Sequence, residues 1–180
     1  MSIVLLAFLA AGAYGIGSAP VHRAFGLTDI DDPSRGYSRC RSLSRVVLNM
    51  LKGFVVVEIG SLLGPTGALL ALYAVAFGHN YPVWTTFGGG TGLGVILGAT
   101  IALDPTMGII SLAAWTFSYY SFANRTAAAL TSSVATPFSA PVLGLVYPVY
   151  SLLPVTVLVI WRYRKVLPNF LLSDPTEAKG

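Results

Sequence analysis

Charged side chains are scarce in this sequence. Of its 180 residues, 10% are charged and 54% are hydrophobic, whereas about 25% of the residues in an ordinary soluble domain are charged. This balance excludes an ordinary soluble domain, because water cannot be the main solvent of so apolar a chain. The composition predicts an all-α integral membrane protein with several transmembrane helices.

Cysteine is nearly absent as well. The single Cys40 excludes an intramolecular disulfide and any metal or redox site of the Cys-x-x-Cys type. Three acidic residues, Asp29, Asp31 and Asp32, stand near arginines, and this pattern is more typical of a solvated or ion-paired loop than of a cation site. We therefore expect neither a metal ion nor a cofactor.

The positive charges do not form one basic face. The formal net charge is +4, yet the cations border apolar segments of the chain. This placement argues against nucleic acid as a partner and favours the lipid bilayer with its anionic headgroups.

Met1 to Ala19 is predicted to be a membrane helix and not a cleaved signal peptide, because it lacks a basic n-region.

Apolar segments separated by polar, glycine or proline breaks predict about seven transmembrane helices, some of them short or broken. Two of the breaks are Gly64-Pro65 and Asp104-Pro105, since proline removes a backbone donor. Thr126–Trp161 is long enough for two helices, which we expect to join near Ser139 to Pro141. The predicted segments are Ile3–Pro20, Leu43–Leu63, Thr66–Val83, Leu93–Leu103, Met107–Ala123 and the two halves of Thr126–Trp161.

Polar residues fill the stretch from His22 to Arg45, which we expect to be a loop outside the hydrocarbon. Residues 1–166 are predicted to form a single polytopic membrane domain, and residues 167–180 a short polar tail. The positive-inside rule places the N-terminus outside and the C-terminus in the cytoplasm, because the arginine-rich loops then face the cytoplasm.

Two groups of residues are candidates for binding an anion. The glycine run before Leu93 either cradles an anion with its backbone N–H groups at the start of a helix or is a turn without a ligand. The arginines of the polar stretch either hold a phosphate or, as we favour, anchor the chain to anionic lipid. The candidates are Gly88, Gly89, Gly90, Thr91, Gly92, Arg35, Arg39, Arg41 and Arg45.

Two ionisable residues lie inside the second predicted span. Lys52 and Glu58 are unusual there, because charge inside a membrane is costly and by default suggests a function. They are six residues apart and do not share one helix face closely. We therefore favour structural roles, in which each side chain snorkels to the membrane surface or pairs with another helix.

Residues 78–92 carry the most specific pattern of the chain. They read Gly-His-Asn-Tyr-Pro-Val-Trp-Thr-Thr-Phe-Gly-Gly-Gly-Thr-Gly. Their order and spacing resemble the second signature of the bacterial acyl-phosphate:glycerol-3-phosphate acyltransferases, the PlsY family, which is approximately G-H-x-[FY]-P-x-F-x-x-F-K-G-G-K-G. The likeness extends over nearly the whole chain, through Tyr14 to Pro20, Leu51-Lys52-Gly53, Tyr120 to Ala123 and Ile160 to Arg164.

The resemblance implies a fold, a location and a reaction. Members of the family have seven transmembrane helices in the orientation given above, so we expect a multi-pass protein of the inner membrane of a prokaryotic cell. They transfer a fatty acyl group from acyl phosphate to the 1-hydroxyl of glycerol 3-phosphate. By resemblance, His79 is a catalytic or phosphate-positioning residue, although a histidine at a helix end is equally suited to capping.

The chain departs from the family pattern where the pattern carries charge. Gly88 and Thr91 replace both lysines of the second signature. The first signature, G-S-G-N-x-G-A-T-N-x-x-R, has only a shorter arginine-rich loop as its counterpart. Since charge-assisted hydrogen bonds contribute about 1.5 to 3 kcal/mol each, their loss would reduce phosphate binding or rate by orders of magnitude.

The sequence therefore supports two main hypotheses and a weaker third one. The one it favours is a non-catalytic subunit of a larger membrane complex, with other membrane-protein subunits as partners, because scaffold residues remain and charged residues do not. The alternative is an active acyltransferase in which arginines of the shortened loop replace the lysines. A lipid-binding or transport role is a weaker third reading.

Overall fold

Every regular element of the described residues is helical. The computed structural model describes residues 2–21, 39–85, 92–122, 125–141, 144 and 146–164. These ranges contain seven α-helices, which confirms the predicted all-α fold. The helices are α1 (Ile3–Ser18), α2 (Arg39–Ser61), α3 (Gly64–Asn80), α4 (Leu93–Leu103), α5 (Pro105–Phe122), α6 (Arg125–Ser139) and α7 (Val146–Tyr163), with a short 3₁₀ helix at Val83–Thr85.

The prediction of a loop from His22 to Arg45 is wrong in its last part. Helix α2 begins at Arg39, so Arg41 and Arg45 also belong to its first turns. No glycine or proline lies between Arg39 and Lys52, and arginine and leucine are good helix formers, so nothing in this stretch stops the helix. The rest of the predicted loop lies outside the described residues.

The breaks that the sequence predicts at Gly64-Pro65 and Asp104-Pro105 separate consecutive helices. At the α2–α3 connection, Gly64 has a φ of +80°, which glycine adopts at little cost, and Pro65 follows in the first turn of α3. At the α4–α5 connection, the Asp104 carboxylate accepts the backbone N–H groups of Thr106 at 2.8 Å and Met107 at 3.3 Å. Both helical hairpins are therefore closed by local chemistry.

Close backbone contact joins α1 to α3 and α2 to α4. A Cβ atom added to Gly17 would collide with the backbone of Val75, and one added to Gly78 would collide with the backbone of Tyr14. At the second contact, a Cβ atom on Gly98 would collide with the backbone of Met50. Glycine at such positions allows helices to approach closely, as is common in membrane proteins.

Small and medium apolar side chains fill the core between these helices. The main cluster joins α1, α2, α3, α4 and α7, and a smaller one joins the start of α4 to α6 and α7. Helices α6 and α7 connect near Ser139 to Pro141, as predicted, and the Thr156 hydroxyl of α7 donates to the Ser133 carbonyl of α6 at 2.7 Å. The fully buried core side chains include Ala71, Leu72, Val75, Ala76, Val95, Ala99 and Val159.

The helices alternate in direction, so the connections lie at two ends of the bundle. We call one the His79 end, where α1, α3 and α7 finish and α2 and α4 begin, and the other the Asp104 end. No helix within the described residues is long and apolar enough by itself to cross a membrane. The orientation of the two ends relative to a bilayer stays a prediction.

Candidate functional site

Four polar side chains lie at the His79 end of the bundle, and two of them, Lys52 and His79, are in direct contact. They are Ser18 from the end of α1, Lys52 from α2, and His79 and Asn80 from the last turn of α3, and we call them the polar cluster. The exposed fraction is 3% for Ser18, 8% for Lys52 and 0% for Asn80. Burying polar side chains is costly unless they are hydrogen-bonded, so their partners decide what the cluster does.

Lys52 holds three helices together at this point. Its Nζ donates to the Gly17 carbonyl at 2.9 Å and the Ala19 carbonyl at 3.2 Å, and it lies 3.2 Å from Nδ1 of His79. These carbonyls stand at the C-terminal end of α1, where the helix dipole favours a cation. The structure thus gives Lys52 partners on α1 and α3 and leaves Glu58 exposed elsewhere on α2.

The end of α3 is fixed by contacts from α1 and α7. The Tyr14 hydroxyl donates to the Tyr81 carbonyl at 2.9 Å, just after the last residue of the helix. The Phe77 and Tyr81 rings lie 5.1 Å apart, and the Arg162 guanidinium lies 5.6 Å from the centre of the Tyr81 ring. A cation of α7 therefore lies close to the polar cluster.

Asn80 is fully buried, and its amide group has no hydrogen-bond partner among the described residues. Neither its oxygen nor its nitrogen is paired, and the Ser18 hydroxyl is also unpaired. Gly92, with a φ of +72°, packs directly against this amide, because a Cβ atom there would lie 2.8 Å from Oδ1 of Asn80. An unsatisfied buried polar group costs about 1 to 3 kcal/mol, so a polar ligand or water is expected here.

The predicted anion-binding residues are only partly described. Gly92 immediately precedes α4, whose first backbone N–H groups have no partners within the helix. Gly88, Gly89, Gly90, Thr91 and Arg35 lie outside the described residues. Arg39 and Arg41 lie in the first turn of α2, and Arg45 is half-buried in the same helix. Of the predicted site residues, His79 and Lys52 thus belong to the polar cluster, and Gly92 lies beside it.

An apolar cavity of about 440 Å³ opens between α1, α3 and α7. It approaches the polar cluster through Tyr14 and Phe77, whose rings lie 6.2 Å apart. Its size and lining suit a hydrocarbon chain. It is lined by Ala10, Tyr14, Leu70, Tyr73, Ala74, Ala76, Phe77, Pro154, Val155 and Leu158.

In the described part of the chain, no three His, Cys, Asp or Glu side chains converge on a point that could hold an ion. Sequence reasoning missed the contact between Lys52 and His79 and the unpaired amide of Asn80. The available signals were a lysine inside an apolar segment and a His-Asn pair at the end of another. Neither signal names its partner, because the partners belong to different helices.

Comparison with known sequences identifies similar proteins over nearly the full length. The family model described as glycerol-3-phosphate acyltransferase matches residues 39–172. A glycerol-3-phosphate acyltransferase of Jannaschia sp. (strain CCS1) is 32% identical over 178 residues, covering 91% of this chain and 88% of that protein. One from Ralstonia nicotianae is 31% identical over 197 residues, covering 98% of this chain and 95% of its own.

Solved structures share the fold. The crystal structure of PlsY (YgiH), an integral membrane glycerol 3-phosphate acyltransferase, in its glycerol 3-phosphate form matches with a TM-score of 0.78 and 22% identity, covering 92% of each chain. Its lysophosphatidic acid form matches with a TM-score of 0.79 and 22% identity, covering 92% of this chain and 91% of that one. The present chain therefore has the helical fold of an integral membrane protein.

Proposed function

The chain belongs to the glycerol-3-phosphate acyltransferase family, and we propose from this premise that it is an acyltransferase. It transfers a fatty acyl group from acyl phosphate to glycerol 3-phosphate or a related acceptor. The observation that carries the proposal is the fully buried, unpaired amide of Asn80 beside Gly92. A purely structural helix junction gains nothing from an unpaired amide, whereas a substrate hydroxyl or phosphate would satisfy it.

The His79 end offers groups that suit the phosphate and the hydrocarbon chain of the proposed substrates. The start of α4 offers backbone N–H groups to a phosphate. Arg45 and Arg162 supply positive charge at the same end of the bundle, and arginine forms strong hydrogen bonds with phosphate. The apolar cavity beside Tyr14 accepts the hydrocarbon chain of the donor. These cations replace the two lysines that Gly88 and Thr91 do not provide.

The proposed reaction transfers the acyl group from a phosphate oxygen of the donor to the hydroxyl oxygen of the acceptor. The acceptor hydroxyl oxygen forms a bond to the acyl carbonyl carbon, and the bond from this carbon to the phosphate oxygen breaks. Phosphate leaves with the electron pair of that bond, and the proton of the hydroxyl ends on the phosphate. Polar groups that position the hydroxyl and the two phosphates are sufficient to accelerate such a step.

The proposed location is a bacterial cell membrane, with the N-terminus outside and the C-terminus in the cytoplasm. The single Cys40 tests this orientation, because it precedes the predicted second span on the cytoplasmic side. A membrane-impermeant maleimide should leave intact cells unlabelled and label Cys40 after permeabilisation. Equal labelling of intact cells would reverse the orientation.

The function is tested by incubating the purified full-length protein with acyl phosphate and glycerol 3-phosphate and measuring the acylated product by mass spectrometry. A family enzyme that carries both lysines of the second signature is the positive control. We expect product that depends on both substrates, and we expect Asn80→Ala to reduce it strongly while Glu58→Gln does not. A folded protein without turnover would contradict the proposal.

A second candidate function is a non-catalytic subunit of a larger membrane complex. The absence of both lysines at Gly88 and Thr91 favours it, as does the use of Lys52 as a link between helices. It predicts that the tagged protein, extracted in mild detergent, co-purifies with defined membrane proteins in fixed ratio. Purification of the protein alone, with turnover, would exclude it.

A further inference from the structure

The hydrogen bonds of Lys52 restrict the protonation of His79. Within the described residues, the Lys52 Nζ has three polar neighbours, and two of them are backbone carbonyl oxygens, Gly17 at 2.9 Å and Ala19 at 3.2 Å. Carbonyl oxygens only accept hydrogen bonds, so both contacts use an N–H of the lysine. The third neighbour is Nδ1 of His79 at 3.2 Å, and its role depends on whether Lys52 is charged.

The hydrogen-bond partners of Lys52 fit its charged form. An ammonium group has three N–H donors, and here it has three neighbours that can accept. The two carbonyls lie at the C-terminal end of α1, which carries the negative end of the helix dipole. An ammonium group at this place donates to two carbonyls near the helix end and has a third N–H for Nδ1 of His79.

We propose that Lys52 is a positioning residue that holds His79 in the tautomer with its hydrogen on Nε2. A histidine nitrogen that accepts a hydrogen bond carries no hydrogen, so a neutral ring then has its hydrogen on the other nitrogen. His79 thereby becomes a hydrogen-bond donor through Nε2 and is not available as a base through that atom.

This assignment gives His79 a defined part in acyl transfer, and here it rests on the proposed function. The Nε2–H group donates to an oxygen of the donor phosphate or of the acyl carbonyl, where negative charge grows as the acceptor oxygen attacks. The hydroxyl proton then passes to the departing phosphate and not to His79. A base at Nε2 would require the opposite tautomer.

Nitrogen-15 NMR of the histidine ring tests the tautomer directly. The chain has two histidines, His22 and His79, so His22→Gln leaves one ring to observe. The full-length protein is prepared in nanodiscs with ¹⁵N-labelled histidine. We expect the resonances of a neutral ring with a bare Nδ1 and a protonated Nε2. A protonated Nδ1 beside a bare Nε2 would overturn the proposal.

Variants of Lys52 separate positioning from general packing. In the His22→Gln background, Lys52→Met should produce a mixture of both tautomers, whereas Lys52→Arg, which keeps the charge and the donors, should retain the Nε2–H form. Glu58→Gln is the matched control on the same helix and should leave the spectrum unchanged. An unchanged spectrum in Lys52→Met would overturn the proposal. If Lys52→Met does not fold, the parent and Lys52→Arg spectra still decide the question.

Kinetics keep this inference distinct from the proposed function. We expect Lys52→Met to lower kcat on the order of 10²-fold through misplacement of His79, with a smaller effect on KM, and Lys52→Arg to recover most of the loss. A folded parent protein with the Nε2–H tautomer and no turnover would contradict the proposed function and support the tautomer. Turnover with the opposite tautomer would overturn the positioning role and leave the proposed function standing.

Discussion

The two ends of the helix bundle differ in whether their polar side chains are hydrogen-bonded. At the Asp104 end, the Asp104 carboxylate accepts two backbone N–H groups and closes the turn between α4 and α5. At the His79 end, the amide of Asn80 and the hydroxyl of Ser18 are buried and have no hydrogen-bond partner in the described part of the chain. The polar group at one end closes a turn, whereas those at the other end carry the proposed contacts with substrate.

Substitution of a glycine at the close helix contacts between the two ends should have the largest effect on stability. In Gly98→Val the new side chain would collide with the backbone of Met50, so α2 and α4 cannot keep their distance. We expect a loss of at least about 3 kcal/mol of stability, seen as aggregation in detergent size-exclusion chromatography. Gly12→Ala is the control, because its new Cβ meets no atom within 4 Å. A monodisperse, thermally stable Gly98→Val protein would contradict the packing account.

Asn80→Ala tests the availability of the His79 end for substrate. We expect turnover to fall about 100-fold or more, since substrate contacts made by a buried amide are lost. Thermal stability should change by no more than about 1 kcal/mol, because the amide has no partner to lose. Thr116→Val, a change at a half-buried position of α5, is the control. If Asn80→Ala instead unfolds the protein and spares its activity, the amide is structural and the contrast between the ends fails.

Asp104→Ala tests whether the polar group at the Asp104 end contributes to stability and not to turnover. Removing the carboxylate leaves the N–H groups of Thr106 and Met107 without their acceptor, which should cost about 0.5 to 2 kcal/mol of stability. Turnover at permissive temperature should stay near that of the parent. Asp104→Asn keeps an acceptor oxygen and should recover most of the stability in a thermal denaturation series. Equal losses in both variants would exclude the capping role.

Ser18→Ala should have the smallest effect on the fold. The Ser18 hydroxyl is buried and has no partner among the residues that the structure describes, so its removal should leave stability unchanged or raise it by up to about 1 kcal/mol. A thermal shift assay on the detergent-solubilised protein measures this. A decrease of more than about 1 kcal/mol would mean that the hydroxyl forms a bond that stabilises α1.

Much of the fold was predictable from local chemistry. The limits of α4 agree with the predicted Leu93–Leu103, because Gly92 and Asp104 bound an uninterrupted apolar run. The break at Gly64-Pro65 follows from the backbone preferences of these two residues. The start of α2 was not predicted, because the arginines after Arg39 are as compatible with a helix as with a loop.

The candidate site was less predictable, since it depends on contacts between helices. His79 was identified by its resemblance to a family signature, and Lys52 by its charge inside an apolar segment. That Nζ of Lys52 meets Nδ1 of His79, 27 positions along the chain, required the packing of three helices. The unpaired state of Asn80 is a property of its surroundings and has no local signal. The anion-binding roles of Gly88 to Thr91 and of Arg35, Arg39 and Arg41 stay predictions.

The central claim is that the His79 end is left open for a phosphate-bearing substrate, and the most direct test is calorimetric titration of glycerol 3-phosphate into the full-length protein in nanodiscs. The account predicts saturable binding to the parent protein and to Asp104→Asn, with binding by Asn80→Ala weakened about tenfold or more. Absence of binding to the folded parent, or equal binding by Asn80→Ala, would contradict it.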